Sequence, residues 1–348
     1  MPGSQAKPEH DKAGRGVSAA RSASLVYCSD ADPGIRRIRS GRGFRYVGAD
    51  GGKLRDPAAL GRIRALSVPP AWDDVWIAPA SRCHLQATGR DARGRKQYIY
   101  HQRWSTAQGE AKFATLAEFA AALPALRARI DADLARRGTC REKVLASIVW
   151  LLDHAMIRIG NEAYERDNGS FGLTTLRRRH VDIDGSTLRF AFTGKSGREW
   201  KLRIADRRIA RIVRSIQELP GQRLFQYVDA DGARHPVHSQ DVNDYIRAAA
   251  GDGFTSKHFR TWGATVRAAG LLAGARFANA PRTARILNRA IDAVAAQLGN
   301  TRAVCRSSYI HPRVIEAWRD GALADDLTDL RRRYRRTPGG LDRDEAIL

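Results

Sequence analysis

Apolar and polar positions recur along the chain with two different periods. Between residues 25 and about 104, apolar residues form short runs with a spacing of two, as in FRYVG (44–48), VWIAP and KQYIYH. Such runs predict β-strands. The turn ADGG (49–52) and the break at VPP separate them, with a short helix at 59–66 in between. This part of the chain is therefore predicted to be a small, strand-rich mixed domain.

From about residue 110 onward, the apolar spacing changes to three and four residues, which predicts helices. The segment TLRFAFTG-KS-GREWKLRI (187–204) is an exception, because its alternation around a Gly-flanked turn predicts a β hairpin. The predicted helices cover 110–137 with an interruption at Pro124, 141–159, 206–218, 239–249, 256–273, 281–298 and 312–327.

These patterns predict an α+β fold: a small N-terminal domain rich in strands, and a larger, mainly helical domain with an embedded β hairpin. The composition at both ends of the chain predicts tails, a disordered one at the start and the basic run RRRYRRTPGG near the end. The predicted divisions are a basic tail at 1–22, an N-terminal domain at 23–105, the larger domain at 106–330 and a basic tail at 331–348.

Charge indicates the kind of partner. The 348 residues contain 60 Lys and Arg against 37 Asp and Glu, a net charge of +23, which is typical of proteins that bind nucleic acid or an acidic membrane surface. The best apolar run, LASIVWLL (145–152), is far shorter than the roughly 18 residues of a membrane span and predicts a core helix. The first residues lack an apolar signal core, so we expect a cytoplasmic protein.

Cysteine and histidine spacing gives no metal or disulfide pattern. The four cysteines (Cys28, Cys83, Cys140 and Cys305) form no C-x-x-C pair, and the nine histidines have no metal-ligand spacing. We therefore expect reduced cysteines, no zinc site and no disulfide framework.

In the N-terminal domain, the stretch QATGRDARGRKQYIYHQRW (86–104) joins basic and aromatic residues. Tyr98 and Tyr100 would share one face of a strand. Cations contact phosphates, whereas aromatic and amide groups reach sugars and base edges. An ordinary exposed hairpin with half-buried tyrosines explains the pattern equally well. The basic residues are Arg90, Arg93, Arg95 and Lys96.

In the larger domain, four residues suit phosphate chemistry. Arg158 lies in AMIRIGNEAY and Arg260 in SKHFRTWGAT, both in apolar helical patterns, where an isolated arginine more often forms a structural salt bridge. Lys195 lies in the turn TGKSG, where lysine is normally a solvated turn residue. Tyr309, in QLGNTRAVCRSSYIHP, has basic and hydroxyl neighbours that favour a phosphate over an apolar core.

One reaction would use these four residues together. A tyrosine oxygen that attacks a phosphodiester creates charge on the nonbridging oxygens and on the departing sugar oxygen. Two guanidinium groups can bind the phosphate without losing a proton, and a lysine can protonate the departing oxygen. The tyrosine ester retains the bond energy, so the reaction is reversible and needs neither a cofactor nor a metal.

The motifs around these residues resemble those of the type IB DNA topoisomerases. In order and spacing, RIGNEAYERDNGSFGLTTLRRRHV, FTGKSG, KHFRTWGAT and LGNTRAVCRSSYIHP match that family, most closely its compact bacterial branch, which is similar to the poxvirus enzymes. Upstream, PPAWDDVWI and QATGRDARGRKQYIYH resemble its small N-terminal DNA-binding domain. The resemblance covers about residues 25–320.

The resemblance implies a role for each residue. Tyr309 would form a 3′-phosphotyrosyl link, Arg158 and Arg260 would stabilise the transition state, and Lys195 would be the general acid. Asn300, nine residues before the tyrosine, occupies the usual position of a catalytic histidine; its NH₂ can donate a hydrogen bond but cannot carry charge or move a proton.

The family also implies the partner and the reaction. A monomer would clamp double-stranded DNA in the nucleoid, nick one strand, let it rotate and reseal it, without ATP or an obligatory metal. Gln97, Tyr98 and Tyr100 fall where the N-terminal domain of the poxvirus enzymes meets the major groove. The candidate DNA-binding residues are Arg90, Arg95, Lys96, Gln97, Tyr98, Tyr100 and Lys257.

Three alternatives remain. A tyrosine recombinase or integrase shares the chemistry, but typically has His-x-x-Arg around the second arginine, whereas this chain has Lys257 at the histidine position. A non-catalytic DNA clamp would share the basic charge without needing the four reactive residues. A ribosome- or RNA-associated protein would typically show RRM-like aromatic platforms or a GXXG loop, which are not evident.

Overall fold

The computed structural model describes residues 16–275, 280–333, 340–342 and 344–348. The chain divides into two compact units, Met1–Ala114 and Thr115–Leu348. The first is built on a five-stranded sheet, and the second is mainly helical with a three-stranded and a two-stranded sheet. The predicted α+β class is therefore confirmed. Residues 1–15 and 334–339, which belong to the two predicted tails, lie outside the described residues.

The first unit is an antiparallel sheet in the order β2-β1-β3-β4-β5. Its strands are β1 (Ile35–Ser40), β2 (Gly43–Val47), β3 (Asp73–Ile77), β4 (Leu85–Arg90) and β5 (Lys96–Tyr100), and its helices are α1 (16–22), α2 (Pro57–Ala65) and α3 (Gln102–Ala114). Asp56 caps α2, and Pro57 suits its first position. Ile63 of α2 then packs on the sheet core of Ile35, Val75, Ile77 and Ala87.

A segment before β1 is bonded to the sheet. Cys28 and Cys83 form a disulfide with their Cα atoms 5.7 Å apart, so the prediction of reduced cysteines is wrong for this pair. A search for close cysteine spacing cannot detect it, because the bond joins residues 55 positions apart. Tyr27 also stacks on His84, with ring centroids 4.3 Å apart. Cys140 and Cys305 are free thiols.

The second unit begins with two long helices and ends with a group of shorter ones. Its helices are α4 (Leu116–Leu134), α5 (Arg141–Ala155), α6 (Glu162–Asn168), α7 (Arg207–Gln217), α8 (Ser239–Ala250), α9 (Ser256–Ala273), α10 (Ala280–Leu298), α11 (Arg302–Ser308), α12 (Pro312–Arg319) and α13 (Ala322–Arg333). Its strands are β6 (Val181–Asp184), β7 (Thr187–Thr193), β8 (Glu199–Ala205), β9 (Gln226–Val228) and β10 (Arg234–Pro236).

Helices α5 and α9 form the centre of this unit. α5 is buried on all sides from Val144 to Leu152, as expected for a central helix. It ends at Met156, whose left-handed backbone (φ 51°) turns the chain just before Arg158. α9 packs against α5, α10 and α12, and its buried residues Ala264 and Ala268 let the neighbouring helices approach closely.

The predicted hairpin at 187–204 is present as β7 and β8, with Thr193 opposite Glu199 at its turn. β6 adds a third strand that the pattern did not predict. α4 runs through Pro124 without a break, because its buried face continues on both sides of the proline. The predicted helix at 312–327 is two helices, separated at Gly321 (φ 80°). α11 has only seven residues, about two turns, which is too short for a helical spacing to be recognised in the sequence.

Candidate active site

Tyr309 follows the last turn of α11 and is anchored to α9. Its backbone N–H donates to the carbonyl oxygen of Cys305 at 3.0 Å, and its own carbonyl oxygen lies 3.1 Å from the hydroxyl of Thr265 on α9. The ring packs against the hydrophobic core that α9 and α10 share. The tyrosine is therefore held at both its backbone and its ring.

Arg260 lies on α9 beside this ring. Its side chain donates to the carbonyl oxygens of Met156 and, at 2.8 Å, Leu298, and its guanidinium carbon is 5.4 Å from the centroid of the Tyr309 ring. The residue is only 5% exposed. Burial, together with the nearby positive charge of Arg158, lowers the pKa of Arg260 to about 10. It remains a cation at neutral pH.

Arg158 and Asn300 are joined by a hydrogen bond from Nη2 to Oδ1, 2.7 Å long. The backbone of Arg158 is fixed because its carbonyl oxygen accepts a hydrogen bond from Leu173 at 2.9 Å. Gly172 permits this close approach, since a Cβ there would lie 2.6 Å from the same oxygen. Asn300 follows Gly299, whose left-handed backbone (φ 58°) ends α10.

No carboxylate within the described residues lies within salt-bridge distance of Arg158 or Arg260. The structural salt bridge that the sequence pattern left open is therefore not what holds either arginine. In the same part of the chain, the buried Nε of Arg260 and Nδ2 of Asn300 complete no hydrogen bond of good geometry, although both side chains approach the Tyr309 hydroxyl closely enough to lower its pKa. Partly buried cations and unused donors together make a site for an anion.

The two arginines also act on Tyr309. Burial alone would raise the pKa of the Tyr309 hydroxyl, but the positive charges of Arg260 and Arg158 outweigh that effect, so its pKa lies below its ordinary value. A phenol in this position loses its proton more readily than a tyrosine in water. The arrangement favours tyrosine as an oxygen nucleophile.

Lys195 lies at the exposed tip of the β7–β8 hairpin. It lines a small recess together with Arg158, Phe171 and Trp200. Trp200 packs between the hairpin and the segment before Asn300: a Cβ on Gly194 would lie 2.7 Å from the indole, and one on Gly299 would lie 3.0 Å from it. The structure therefore brings Lys195 to the edge of the site that contains Tyr309.

Lys257 is exposed in the first turn of α9, three residues before Arg260. His258, the next residue, is instead enclosed by the aromatic rings of Phe119 and Phe254, with centroids 5.5 and 5.4 Å away. Lys257 is thus more accessible than His258 to a ligand in solution.

The remaining candidates lie in the first unit, on β4, β5 and the turn between them. Tyr98 and Tyr100 are 48% and 43% exposed and stack with ring centroids 6.0 Å apart, so the predicted shared face is present. Gln97 alternates to the opposite face of β5 and donates to Asp91 at 2.9 Å. The tyrosines and Gln97 therefore do not form one surface.

The four basic and amide candidates of this region contact carboxylates that the sequence pattern did not single out. Asp91 accepts from both Arg95, at 2.6 Å, and Gln97. Lys96 pairs with Asp30 at 2.5 Å, and Arg90 lies 3.8 Å from Asp74. The positive charge of Arg90, Arg95 and Lys96 is therefore partly neutralised within the first unit. Asp91, at the start of DARGRK, was the sequence feature that could have indicated an acidic partner for these residues.

Within the described residues, no group of three or more His, Cys, Asp or Glu side chains is arranged to hold a metal ion. The helices in that part of the chain are all too short or too polar to cross a membrane.

Two family models match the chain, and together they cover most of it. Residues 101–332 match the catalytic core of eukaryotic DNA topoisomerase I, and residues 43–91 match the N-terminal domain of bacterial DNA topoisomerase IB. The chain belongs to the type IB DNA topoisomerases. It is an enzyme that changes the topology of DNA, as the motif resemblance predicted.

Two relatives of this topoisomerase show how far the similarity extends. The chain is 31% identical to DNA topoisomerase 1B of Acanthamoeba polyphaga mimivirus over 295 residues. The match covers 82% of this chain and 88% of the viral protein. The chain is 28% identical to DNA topoisomerase 1 of Mycosarcoma maydis over 149 residues, 38% of this chain and 14% of that protein. The match to the viral enzyme thus spans both units.

Sequence reasoning missed the groups that hold the topoisomerase site together. The carbonyl oxygens of Met156 and Leu298 orient Arg260, but a backbone group carries no residue-type signal. Thr265 contacts the backbone at and just after the tyrosine, because its hydroxyl lies 3.1 Å from the Tyr309 carbonyl oxygen and also accepts from the N–H of His311 at 3.2 Å. In the sequence, the role of Thr265 is indicated by its position on the predicted helix, five residues after Arg260.

Proposed function

We propose that this type IB topoisomerase relaxes supercoiled duplex DNA with Tyr309 as its nucleophile. The observation that supports this most strongly is a pair of arginines, Arg158 and Arg260, that have no carboxylate partner among the described residues and lower the pKa of the neighbouring tyrosine. Two uncompensated cations favour an anionic ligand, and a phosphodiester is the anion that this enzyme family processes.

In the proposed step, the hydroxyl oxygen of Tyr309 bonds to phosphorus and the bond from phosphorus to the 5′ oxygen breaks. The tyrosine loses its proton, and the departing 5′ oxygen takes one up. The product is a 3′-phosphotyrosyl link with a free 5′ hydroxyl. That end can rotate about the intact strand before the reverse reaction reseals the nick. Since the ester retains the bond energy, ATP has no role.

The arginines and Asn300 would stabilise the charge that develops on the phosphate. Arg158 and Arg260 can each donate to nonbridging oxygens while remaining protonated. The unused Nε of Arg260 and Nδ2 of Asn300 are the donors available for this purpose. Preorganised donors of this kind account for a large part of the catalysis of phosphoryl and acyl transfer.

Lys195 would supply the proton that the departing 5′ oxygen needs. The ammonium is at an exposed hairpin tip, next to the recess that Arg158 lines. A long, flexible side chain at such a tip can approach a bound scissile phosphate, and positioned proton transfer is a standard source of rate enhancement.

The first unit would contact duplex DNA through the exposed tyrosines of β5, and Lys257 would contact a phosphate near the site. Arg90, Arg95 and Lys96 would exchange their carboxylate partners for phosphates, so affinity should fall steeply with salt. The family resemblance supports a monomer that surrounds DNA in the nucleoid.

The deciding experiment is relaxation of a negatively supercoiled plasmid in EDTA without ATP. The native enzyme and Tyr227→Phe, a matched control on β9, should relax the plasmid, whereas Tyr309→Phe should bind it without relaxing it. Relaxation of a single circle without paired sites would argue against a recombinase. If the native enzyme binds the plasmid but does not relax it, the protein is a non-catalytic clamp and the proposal fails.

A further inference from the structure

Glu345 is a charged residue in the interior of the second unit. It is only 5% exposed and lies in the segment 340–348, which follows α13 along the chain. Its carboxylate is held at both oxygens: Oε1 accepts from Arg127 and Trp262 at 2.7 and 2.9 Å, and Oε2 accepts from Arg127 at 2.7 Å and from the N–H of Asp342 at 2.9 Å. A buried carboxylate with this many donors has one defined position.

Arg127, on α4, extends these contacts to α5. Its guanidinium donates to both carboxylate oxygens of Asp153, at 2.8 and 3.1 Å, and to the carbonyl oxygen of Gly340 at 2.7 Å. Burial would raise the pKa of Glu345, but its bonds to Arg127 lower it below the ordinary value, so the carboxylate is ionised at neutral pH. Glu345 is thereby bound directly to α4 and, through Arg127, to α5.

Glu345 contacts α9, the helix that carries Arg260, and is linked through Arg127 to α5, which ends three residues before Arg158. Trp262 lies two residues after Arg260 on α9, and Asp153 lies five residues before Arg158. The two arginines are also linked through Met156, whose carbonyl oxygen accepts from Arg260. A shift of α9 relative to α5 would therefore change the separation of the two guanidinium groups.

We propose that Glu345 is a positioning residue for strand cleavage, which fixes α9 against α5 and so sets the spacing of Arg158 and Arg260. It touches neither of these arginines nor Tyr309 in the described structure. The inference rests on the proposed roles of the two arginines. It assigns to the segment 340–348 a function in the reaction besides its contribution to stability.

A positioning role and a purely stabilising role differ in what they change. Cleavage and religation pass through the same transition state, so a displaced arginine slows both reactions and leaves their equilibrium unchanged. A merely destabilised protein instead contains fewer active molecules, each of which reacts at the native rate. A positioning role therefore changes the rate constant, whereas a loss of folded protein changes the reaction amplitude.

The test measures single-turnover cleavage at saturating enzyme. The DNA duplex is designed so that the short fragment with the new 5′ hydroxyl dissociates after the nick. Glu345→Gln should lower the cleavage rate constant by about 10- to 100-fold, on the scale of a small misplacement of catalytic groups, with unchanged amplitude and DNA affinity. Religation should slow by the same factor. Glu345→Asp should recover part of the rate, and Glu218→Gln, an exposed carboxylate in the same unit, should behave as native.

A further full-length variant protects the test against a folding defect. Trp262→Phe keeps an aromatic side chain and removes the N–H donor to Glu345 together with one ring of the indole. It should slow cleavage without loss of amplitude.

The inference is overturned if Glu345→Gln cleaves at the native rate, or if only the amplitude falls. It is equally overturned if Trp262→Phe cleaves at the native rate. A native enzyme that cleaves no DNA would instead refute the proposed function, so the two failures are distinguishable.

Discussion

Arg158 donates a hydrogen bond of 2.7 Å to the side-chain oxygen of Asn300. Because a guanidinium has only donors, it selects the oxygen of the amide and turns the nitrogen away. That nitrogen, Nδ2, is buried without a hydrogen-bond partner in the described part of the chain. The arginine thus orients Asn300 as a neutral donor at a position where the family usually has histidine.

Replacing Asn300 tests this orientation. Asn300→Ala removes the donor and should slow single-turnover cleavage by about 10²-fold, the usual effect of losing one preorganised donor. Asn300→Asp should be slower still, because its carboxylate would pair with Arg158 and repel the phosphate. Cleavage by Asn300→Asp at the rate of the native enzyme would show that Nδ2 makes no contact with the reacting phosphate.

The pH dependence of cleavage should contain no imidazole step. Asn300 does not titrate, and burial and the charge of Arg313 lower the pKa of His311, the histidine closest to Tyr309 in sequence. A lowered pKa means that His311 loses its proton below the ordinary value of about 6.5, so it is neutral at pH 7 and above. We expect a cleavage rate that shows no step between about pH 6 and 7, the range of an unperturbed histidine.

The control for this profile is Asn300→His, which should introduce the missing step. A clear step near pH 6 to 7, the range of an unperturbed imidazole, in the native enzyme that disappears in Asn300→Ala would contradict the prediction. Binding should be saturated at each pH, so that only the chemical step is measured.

The candidate side chains of the site could be identified in the sequence because each has a residue type and a motif. Tyr309, Arg158 and Asn300 come together in the structure as the motif order implied. The supporting contacts could not be predicted, since they join residues far apart in the chain. Arg127 and Glu345 are 218 residues apart, and no local pattern links them.

The same limit applies to the first unit. The basic stretch before Tyr98 gave no sign of its acidic partners, and Lys96 pairs with Asp30, more than sixty positions earlier. The disulfide between Cys28 and Cys83 is likewise a product of tertiary structure. Strand and helix periods were predictable because they depend on residues a few positions apart, whereas these pairings depend on how strands and segments meet in space.

Arg260 should not tolerate lysine. Its guanidinium contacts two carbonyl oxygens on different segments, those of Met156 and Leu298, and still has Nε unused. A single ammonium cannot make all of these contacts. Arg260→Lys should therefore raise the cleavage barrier by at least about 2 to 4 kcal/mol, measured as a single-turnover rate.

Arg214→Lys, an exposed arginine on α7, is the matched control and should cleave at the native rate. The same loss is expected for Arg158→Lys, which cannot bind Asn300 and a phosphate in the same way. A decrease in the cleavage rate of less than about tenfold, or 1.4 kcal/mol, at either position would show that this arginine has a structural role. The proposal of two cations at the phosphate would then be wrong.

Lys195 should act on the leaving group alone. In Lys195→Ala the 5′ oxygen must depart without a proton, so cleavage of an ordinary phosphodiester should slow by about 10²-fold or more. A substrate with sulfur in place of that oxygen has a leaving group that needs little protonation. The variant should therefore cleave the sulfur substrate at nearly the native rate.

Two controls make the rescue specific. Lys201→Ala removes an exposed lysine from β8 of the same hairpin and should cleave both substrates normally, because it lies away from the tip. Asn300→Ala should remain slow with sulfur, since its proposed contact is to a nonbridging oxygen. If sulfur fails to rescue Lys195→Ala, or rescues Asn300→Ala to the same extent, Lys195 is not the proton donor and its position at the hairpin tip serves DNA binding instead.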